Sequence, residues 1–504
     1  MRVGRILAAV TAAVVGSVSA VAPAWGGGTE RSVTYRGYVV RVPAAWPVVD
    51  LAAAPHTCVR FDRPAVYLGR PGAEPWCPTD LVGRTAGLLV QPLDEVPAGA
   101  TVTATGRATA DRPVSHDGTI QVAVRDAGVL VTAAHNRETE PAVRAILAGA
   151  TLGGDARPAA AAAPAQGAPL AAAGPQPGTF TGRGFDTCTA PSPSTMNAWR
   201  ASSPYRAIGV YISGASRSCA QPNLTAAWVT NQTANGWRLI PIELDYQAPC
   251  GTRTPKMSAD PTTARSQGAS RATSAVNAAQ ALGIPPGSAI YNDIEHYPSN
   301  ASCEAAVLSY LSDWTQRLHA LGYLSGVYSS GSSGVLDLCG AYNDTRYTRV
   351  DHLFFGWWNG VADTDAGSYC PDAYYANHQR IHQYTGDMYE TWGGVRVYID
   401  RDYLDVSTGT SEPPPTDFTV TVDNTTAVAS RRAPTGARRP TRRSGSVPTT
   451  GSPHRSRPAT WRGGGPTCRR PGRTTYRCTT RPRPDTTTRR RTSSPPRPAT
   501  RRYG

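Results

Sequence analysis

The 504-residue chain is best approached through what it lacks. Outside Met1–Ala24, no stretch reaches the ~18 consecutive apolar residues of a membrane helix. No glycine-rich phosphate loop follows a strand, since Gly182-Arg183-Gly184 misses the third glycine of the dinucleotide fingerprint. The ten cysteines show no closely paired zinc-type spacing, and the nine histidines form no ligand pattern. No loop of regularly spaced acids suits calcium, and no serine or cysteine sits in a nucleophile motif. The expectation is therefore no cofactor, no metal and no retained membrane segment. Residues 431–504 lack the most: they contain no Leu, Ile, Phe, Met, Lys, Glu, Asn or Gln, so they cannot build a core.

What is present begins with charge. The formal +15 suggests a nucleic-acid binder until it is located along the chain. Residues 431–504 hold 21 arginines against the single acid Asp485, leaving 30 basic and 35 acidic residues elsewhere. The part able to fold is mildly acidic, and no nucleic-acid partner is expected for it. The tail 431–504 has two readings. It is a disordered basic arm for anionic polymers, or an out-of-frame translation of GC-rich DNA, in which Arg, Pro, Thr, Gly, Ala and Ser dominate. The preceding segment 411–430 contains Asp417-Phe418-Thr419-Val420-Thr421-Val422, which reads as the first strand of a further, truncated domain.

At the other end, Arg2 and Arg5 precede the apolar run Ile6–Val15, and Ala22-Pro23-Ala24 offers a cleavage site, so residues 1–24 read as a secretory signal. The arginines are not adjacent, which argues against twin-arginine export. The expected location is extracellular, at the cell wall, with no membrane attachment after cleavage. Export makes the cysteines disulfide candidates: Cys58 and Cys77; then Cys188, Cys219, Cys250, Cys303, Cys339 and Cys370, whose pairing the sequence leaves open; then Cys468 and Cys478.

Residues 29–150 alternate polar and apolar positions in short runs such as Tyr38-Val39-Val40-Arg41-Val42, which predicts a small, mostly β domain without a catalytic constellation. The Ala/Pro/Gly segment 153–177 reads as a linker. From 180 to 405, eight strand candidates alternate with helical segments, which predicts an α/β (β/α)8 TIM barrel, with a doubly wound open sheet as the alternative. The strands are 183–186, 207–212, 238–246, 289–295, 323–329, 352–358, 380–384 and 395–400. Asp260 with Pro261, and Ser302, mark helix starts.

Carboxylates gather at the strand ends. Asp293 and Glu295 lie two apart and share a face; Glu243 and Asp245 repeat the arrangement; Asp186, Asp400 and Asp402 end the first and eighth strands. Acids in a crowded mouth push some pKa values up, giving a protonated acid beside ionised neighbours, the division of labour that glycosidic cleavage needs. Trp357, Trp358, Gln383, Tyr384 and Trp392 near other strand ends could bind sugar rings and hydroxyls.

Six ordered segments carry a family resemblance: Gly184-Phe185-Asp186-Thr187-Cys188, Ile208–Gly214, Ile290-Tyr291-Asn292-Asp293-Ile294-Glu295, Ser325–Ser329, His382-Gln383-Tyr384 and Ile399-Asp400-Arg401-Asp402. Over roughly 180–405 the chain resembles a secreted actinobacterial glycoside-hydrolase-like barrel family, long catalogued as a domain of unknown function and related to the family twenty-five lysozymes. The resemblance implies a barrel fold and muramidase-like action on peptidoglycan. It makes Glu295 the general acid, with Asp293, Asp186 and Asp400 as the other catalytic carboxylates. His382 stands where those lysozymes carry Trp, and Glu243 and Asp245 are additional. The alternative is a module that binds envelope polysaccharide in the same cleft without turnover.

Overall fold

The structure, a computed structural model, describes residues 29–94, 96, 100–103, 118–158 and 173–408, and three short strands beyond them whose side chains are not described. The signal, the middle of the linker and nearly all of the arginine-rich tail lie outside the described residues. Two compact units divide at Ser411.

In the first unit, β1 (Glu30–Tyr35) and β2 (Tyr38–Pro43) form a hairpin joined by β9 (Thr151–Leu152). A second sheet runs in the order β3 (Val48–Asp50), β4 (Val66–Leu68), β5 (Gly87–Pro92), β8 (Val129–Ala134), β7 (Thr119–Val124) and β6 (Thr101–Thr103). The short helix α1 (Glu140–Ala148) follows β8. The alternation in the sequence works as expected, since Val40, Val42, Leu88, Val90, Val122 and Val131 all enter one core.

Eight strands then close into a barrel: β10 (Phe180–Asp186), β11 (Ala207–Ser213), β12 (Arg238–Glu243), β13 (Ala289–Asp293), β14 (Leu324–Ser330), β15 (His352–Gly356), β16 (Gln379–Trp392) and β17 (Val395–Val406). Between them run α2 (Pro193–Ser202), α3 (Ala226–Ala234), α4 (Pro261–Ala281), α5 (Ala301–Ala320) and the short α6 (Leu336–Gly340). Side-chain alternation splits the apolar residues. Ile240, Ile242, Tyr291, Phe354, Ile381 and Leu404 fill the barrel interior. Val210, Leu239, Ile290, Val327 and Leu353 face the helices, meeting Trp199, Trp228 and Trp314.

Helices α2 to α5 start where a side chain accepts an orphan amide: Ser192 from Thr195, Thr225 from Trp228, Asp260 from Thr263, and Asn300 from Cys303. Proline occupies the first turn of α2 and α4, as its fixed φ allows. Asp260 is the expected cap; for α5 the cap is Asn300, two residues before Ser302.

Eight βα units do not form. The seven strands β10 to β16 run parallel, whereas β17 is antiparallel to both β16 and β10. The reason is the dipeptide Gly393-Gly394, with φ of 59° and 79°: two left-handed residues make a tight hairpin that folds the chain back without a helix. Both strands also extend past the sequence boundaries, so Asp400 and Asp402 lie within β17 and not at its end.

The expected linker is anchored at its C-terminal end. The Gln176 backbone amide donates to Ser288 Oγ, its carbonyl accepts from the Ala289 amide, and its side-chain oxygen accepts from the Leu239 amide. The disulfides are Cys58–Cys77, Cys188–Cys219, Cys250–Cys303 and Cys339–Cys370. In the second unit, Phe418–Val420 pairs antiparallel with Tyr476–Thr479, which pairs with Thr467–Arg469. The predicted strand at 418 is present, and the tail forms two strands where Thr, Tyr and Cys interrupt the arginines.

Candidate active site

The site lies where the parallel strands end. In β13 the alternation places Tyr291 and Asp293 inward and Asn292 outward, and the chain continues through Ile294 to Glu295 just beyond the strand. Gln247 holds this segment from both sides: its Nε2 donates to the Asp293 carbonyl at 2.8 Å and its Oε1 accepts the Glu295 amide at 2.8 Å. A cavity of about 160 Å³ opens here, lined by Asp186, Asp293, Glu295, Asp400, Trp358 and Gln383, with Tyr211, Ile242, Tyr328, Phe354, Thr79 and Asp80. That volume is close to the ~150 Å³ that holds one benzene-sized ring.

Gln383 organises one wall. Its Nε2 donates to Asp186 Oδ2 at 2.9 Å and to Asp400 Oδ2 at 3.3 Å, while its Oε1 accepts from the Tyr328 hydroxyl at 2.9 Å and Trp358 Nε1 at 3.0 Å. Asp186 and Asp400 pair across β10 and β17, so a single amide holds two carboxyls from neighbouring strands. Asp400 Oδ1 also accepts from the Asp387 amide at 2.7 Å and the Thr79 hydroxyl at 2.9 Å. Gly386 leaves room for this group, because a Cβ there would fall 2.3 Å from Asp400 Oδ1 and 2.4 Å from the Trp358 ring.

Burial is the first cause of every carboxyl shift in this group. It pushes Asp186 up to about 7 despite the opposing Gln383 hydrogen bond. Burial, with Glu295 and Asp186 nearby, raises Asp293 well above its ordinary range, and burial with Asp186 does the same for Asp400. Glu295 is raised by burial and by Asp80, against the pull of Arg253. Burial thus favours the neutral form of each of these carboxyls, and a carboxyl that keeps its proton can donate as well as accept. Asp293 Oδ1 is buried with no hydrogen-bond partner among the described residues.

Six of the sequence-predicted residues thus meet at the cavity: Asp186, Asp293, Glu295, Asp400, Trp358 and Gln383. Five do not. Glu243 follows the inward Ile242, so its side chain leaves the barrel and accepts from Asn292 Nδ2 at 2.9 Å. Asp245 pairs with Arg271 at 2.8 Å. Trp357 packs against His382 and Tyr369, Tyr384 is buried, and Trp392 donates from the hairpin to Glu390. Asp402 is fully buried beneath the cavity with both oxygens unpartnered among the described residues, and is raised well above its ordinary range by burial and then by Asp186 and Asp400.

Sequence reasoning passed over Tyr211 and Tyr328, although both sit in the repeated Gly-Val-Tyr segments of β11 and β14, and over Gln247, Thr79 and Asp80. Three sulfurs, of Cys58, Cys77 and Cys219, lie within 4.8 Å of one another, but each is committed to a disulfide.

Residues 197–404 match the sequence profile of the Rv2525c-like, glycoside hydrolase-like domain. The match begins after β10, so Asp186 lies outside it. Among solved structures, the chain is similar to the Tat-secreted Mycobacterium tuberculosis protein Rv2525c in complex with L-tartrate, at 18% identity and a TM-score of 0.32, over 45% of this chain and 96% of that one. It is similar to an uncharacterized B. stearothermophilus protein at 17% identity and a TM-score of 0.31, over 44% and 95%. The catalytic domain of endolysin ply40 from bacteriophage P40 of Listeria monocytogenes shares 11% identity with a TM-score of 0.29, over 45% and 93%. No protein among curated sequences matches the chain.

Proposed function

We propose that the barrel is an exported hydrolase of cell-wall glycan, acting on the glycan strand of peptidoglycan. The observation that carries the reading is the joining of Asp186, Asp293, Glu295 and Asp400 in one ring-sized cavity beside an exposed tryptophan, Trp358. Glu295 is the proton donor: burial favours its protonated form, and its proton passes to the glycosidic oxygen as the carbon–oxygen bond breaks. Asp293, with an unpartnered oxygen, accepts the N–H of a sugar acetamido group or stabilises the cationic carbon. Water then adds to that carbon and gives up a proton to Glu295, which restores the acid. Asp186 and Asp400, bridged by Gln383, hold sugar hydroxyls. Trp358 stacks on the ring. The leader at 1–24 supports export, and among the described residues no helix is long and apolar enough to cross a membrane.

The test compares the full chain with Glu295→Gln on labelled cell walls. Soluble fragments are expected from the wild type and at least ~100-fold fewer from the variant. Equal release by both proteins, or by neither, overturns the mechanism. Muropeptide binding by calorimetry without product would leave polysaccharide binding as the function.

A further inference from the structure

The N-terminal sheets supply part of the cavity through residues 77–84, which cross the barrel mouth as a strap. The Cys58–Cys77 disulfide fixes one end. At the other, the Gly83 amide donates to the Ser216 carbonyl at 2.8 Å, the Ser218 hydroxyl donates to the Gly83 carbonyl at 2.7 Å, and Val82 bridges Arg217. In between, the Thr79 hydroxyl reaches Asp400 at 2.9 Å and Asp387 at 3.2 Å. Asp80, the next residue, lines the cavity from an exposed position at its entrance.

The strap thus adds a carboxylate to a cavity whose lining, among the described residues, contains no lysine, arginine or histidine. Its field reaches Glu295, where Arg253, which is not part of the lining, opposes it. We propose that Asp80 is a specificity residue. It admits a neutral N-acetylated sugar to the ring position beneath the strap and disfavours a sugar carrying a carboxylate. The inference rests on the glycan-hydrolase reading and deepens it: on a strand of alternating neutral and acidic sugars, the neutral one occupies the pocket, so the bond cut is that of the neutral sugar, unlike the muramidase-like action that the resemblance implies. The cavity has room for one ring, so charge at the entrance is felt by that ring and falls off for its neighbours over a Debye length.

The test uses the full chain carrying Glu295→Gln, so that binding is read without turnover, and two monosaccharides titrated by NMR. N-acetylglucosamine is neutral; N-acetylmuramic acid adds a lactyl carboxylate. The neutral sugar is expected to bind more tightly. Asp80→Asn should narrow the ratio of dissociation constants roughly three- to tenfold, Asp80→Lys should narrow it further, and high salt should shrink the contribution of Asp80. Comparing the ratio across variants removes the steric effect of the lactyl group, which all of them share. If both sugars bind and the ratio is unchanged in both variants, the role of Asp80 is overturned while the glycan reading stands. If neither sugar binds any of the proteins, the glycan reading fails and this inference fails with it.

Discussion

Strands β12 and β13 lie side by side, and each runs out in two carboxylates spaced two residues apart. In register, Ile242 faces Tyr291 and Glu243 faces Asn292. That offset of one residue decides everything that follows. Asp293 and Glu295 enter a cavity whose lining holds no cation among the described residues. Glu243 and Asp245 turn toward the helices, where Arg271 neutralises Asp245 at 2.8 Å, Asn292 donates to Glu243, and the Ala215 amide donates to Asp245 at 3.0 Å. Buried acids that pair with a cation or take donors on the helix side serve the fold, while those turned toward a cavity are a cost to the fold that a reaction can use.

Substitutions should separate the two groups. The largest effect is expected from Glu295→Gln, with a loss of two to four orders of magnitude in kcat on cell-wall glycan and little change in melting temperature. Asp245→Ala should do the reverse. It removes the carboxylate paired with the Arg271 guanidinium, which is 15% exposed, and should cost about 3 kcal/mol in denaturant unfolding.

Asp186→Asn should stabilise the protein at pH 7. The carboxyl titrates near 7 when folded against an ordinary 3.8, so the native state binds the proton more tightly than the unfolded chain. Stability therefore falls as pH rises from about 4 to 7, and the amide removes that fall, a gain on the order of 1–4 kcal/mol at pH 7 that vanishes near pH 3. The smallest effect should come from Thr79→Val, which deletes the hydroxyl shared by Asp400 and Asp387. About 1 kcal/mol of stability is expected to go with it, measured in the same unfolding assay.

The eight strands were legible because valine and isoleucine alternate between two cores, one inside the barrel and one under the helices. The direction of the last strand was not read, although Gly393-Gly394 is a hairpin signal between two runs rich in β-formers. Of the residues that line the cavity, Asp186, Asp293, Glu295, Asp400 and Gln383 are legible in motifs and in-phase spacing, and Trp358 in its place near a strand end. Glu243 and Asp245 show the limit of that spacing: two acids in phase share a face, but the phase relative to the core is set by Ile242, one residue earlier. Thr79 and Asp80 had no local signature, because a strap about 100 residues upstream of β10 reaches the site only through its disulfide and its hydrogen bonds to the 214–220 loop.

The central claim is that Glu295 protonates a glycosidic oxygen held in this cavity. A crystal structure of the Glu295→Gln protein with a muropeptide or chitin fragment tests it directly. The account predicts one ring over Trp358 and the residue 295 amide within ~3 Å of the glycosidic oxygen. A fragment bound with that oxygen beyond hydrogen-bond reach of residue 295, or seated away from Asp293 and Asp400, would contradict it.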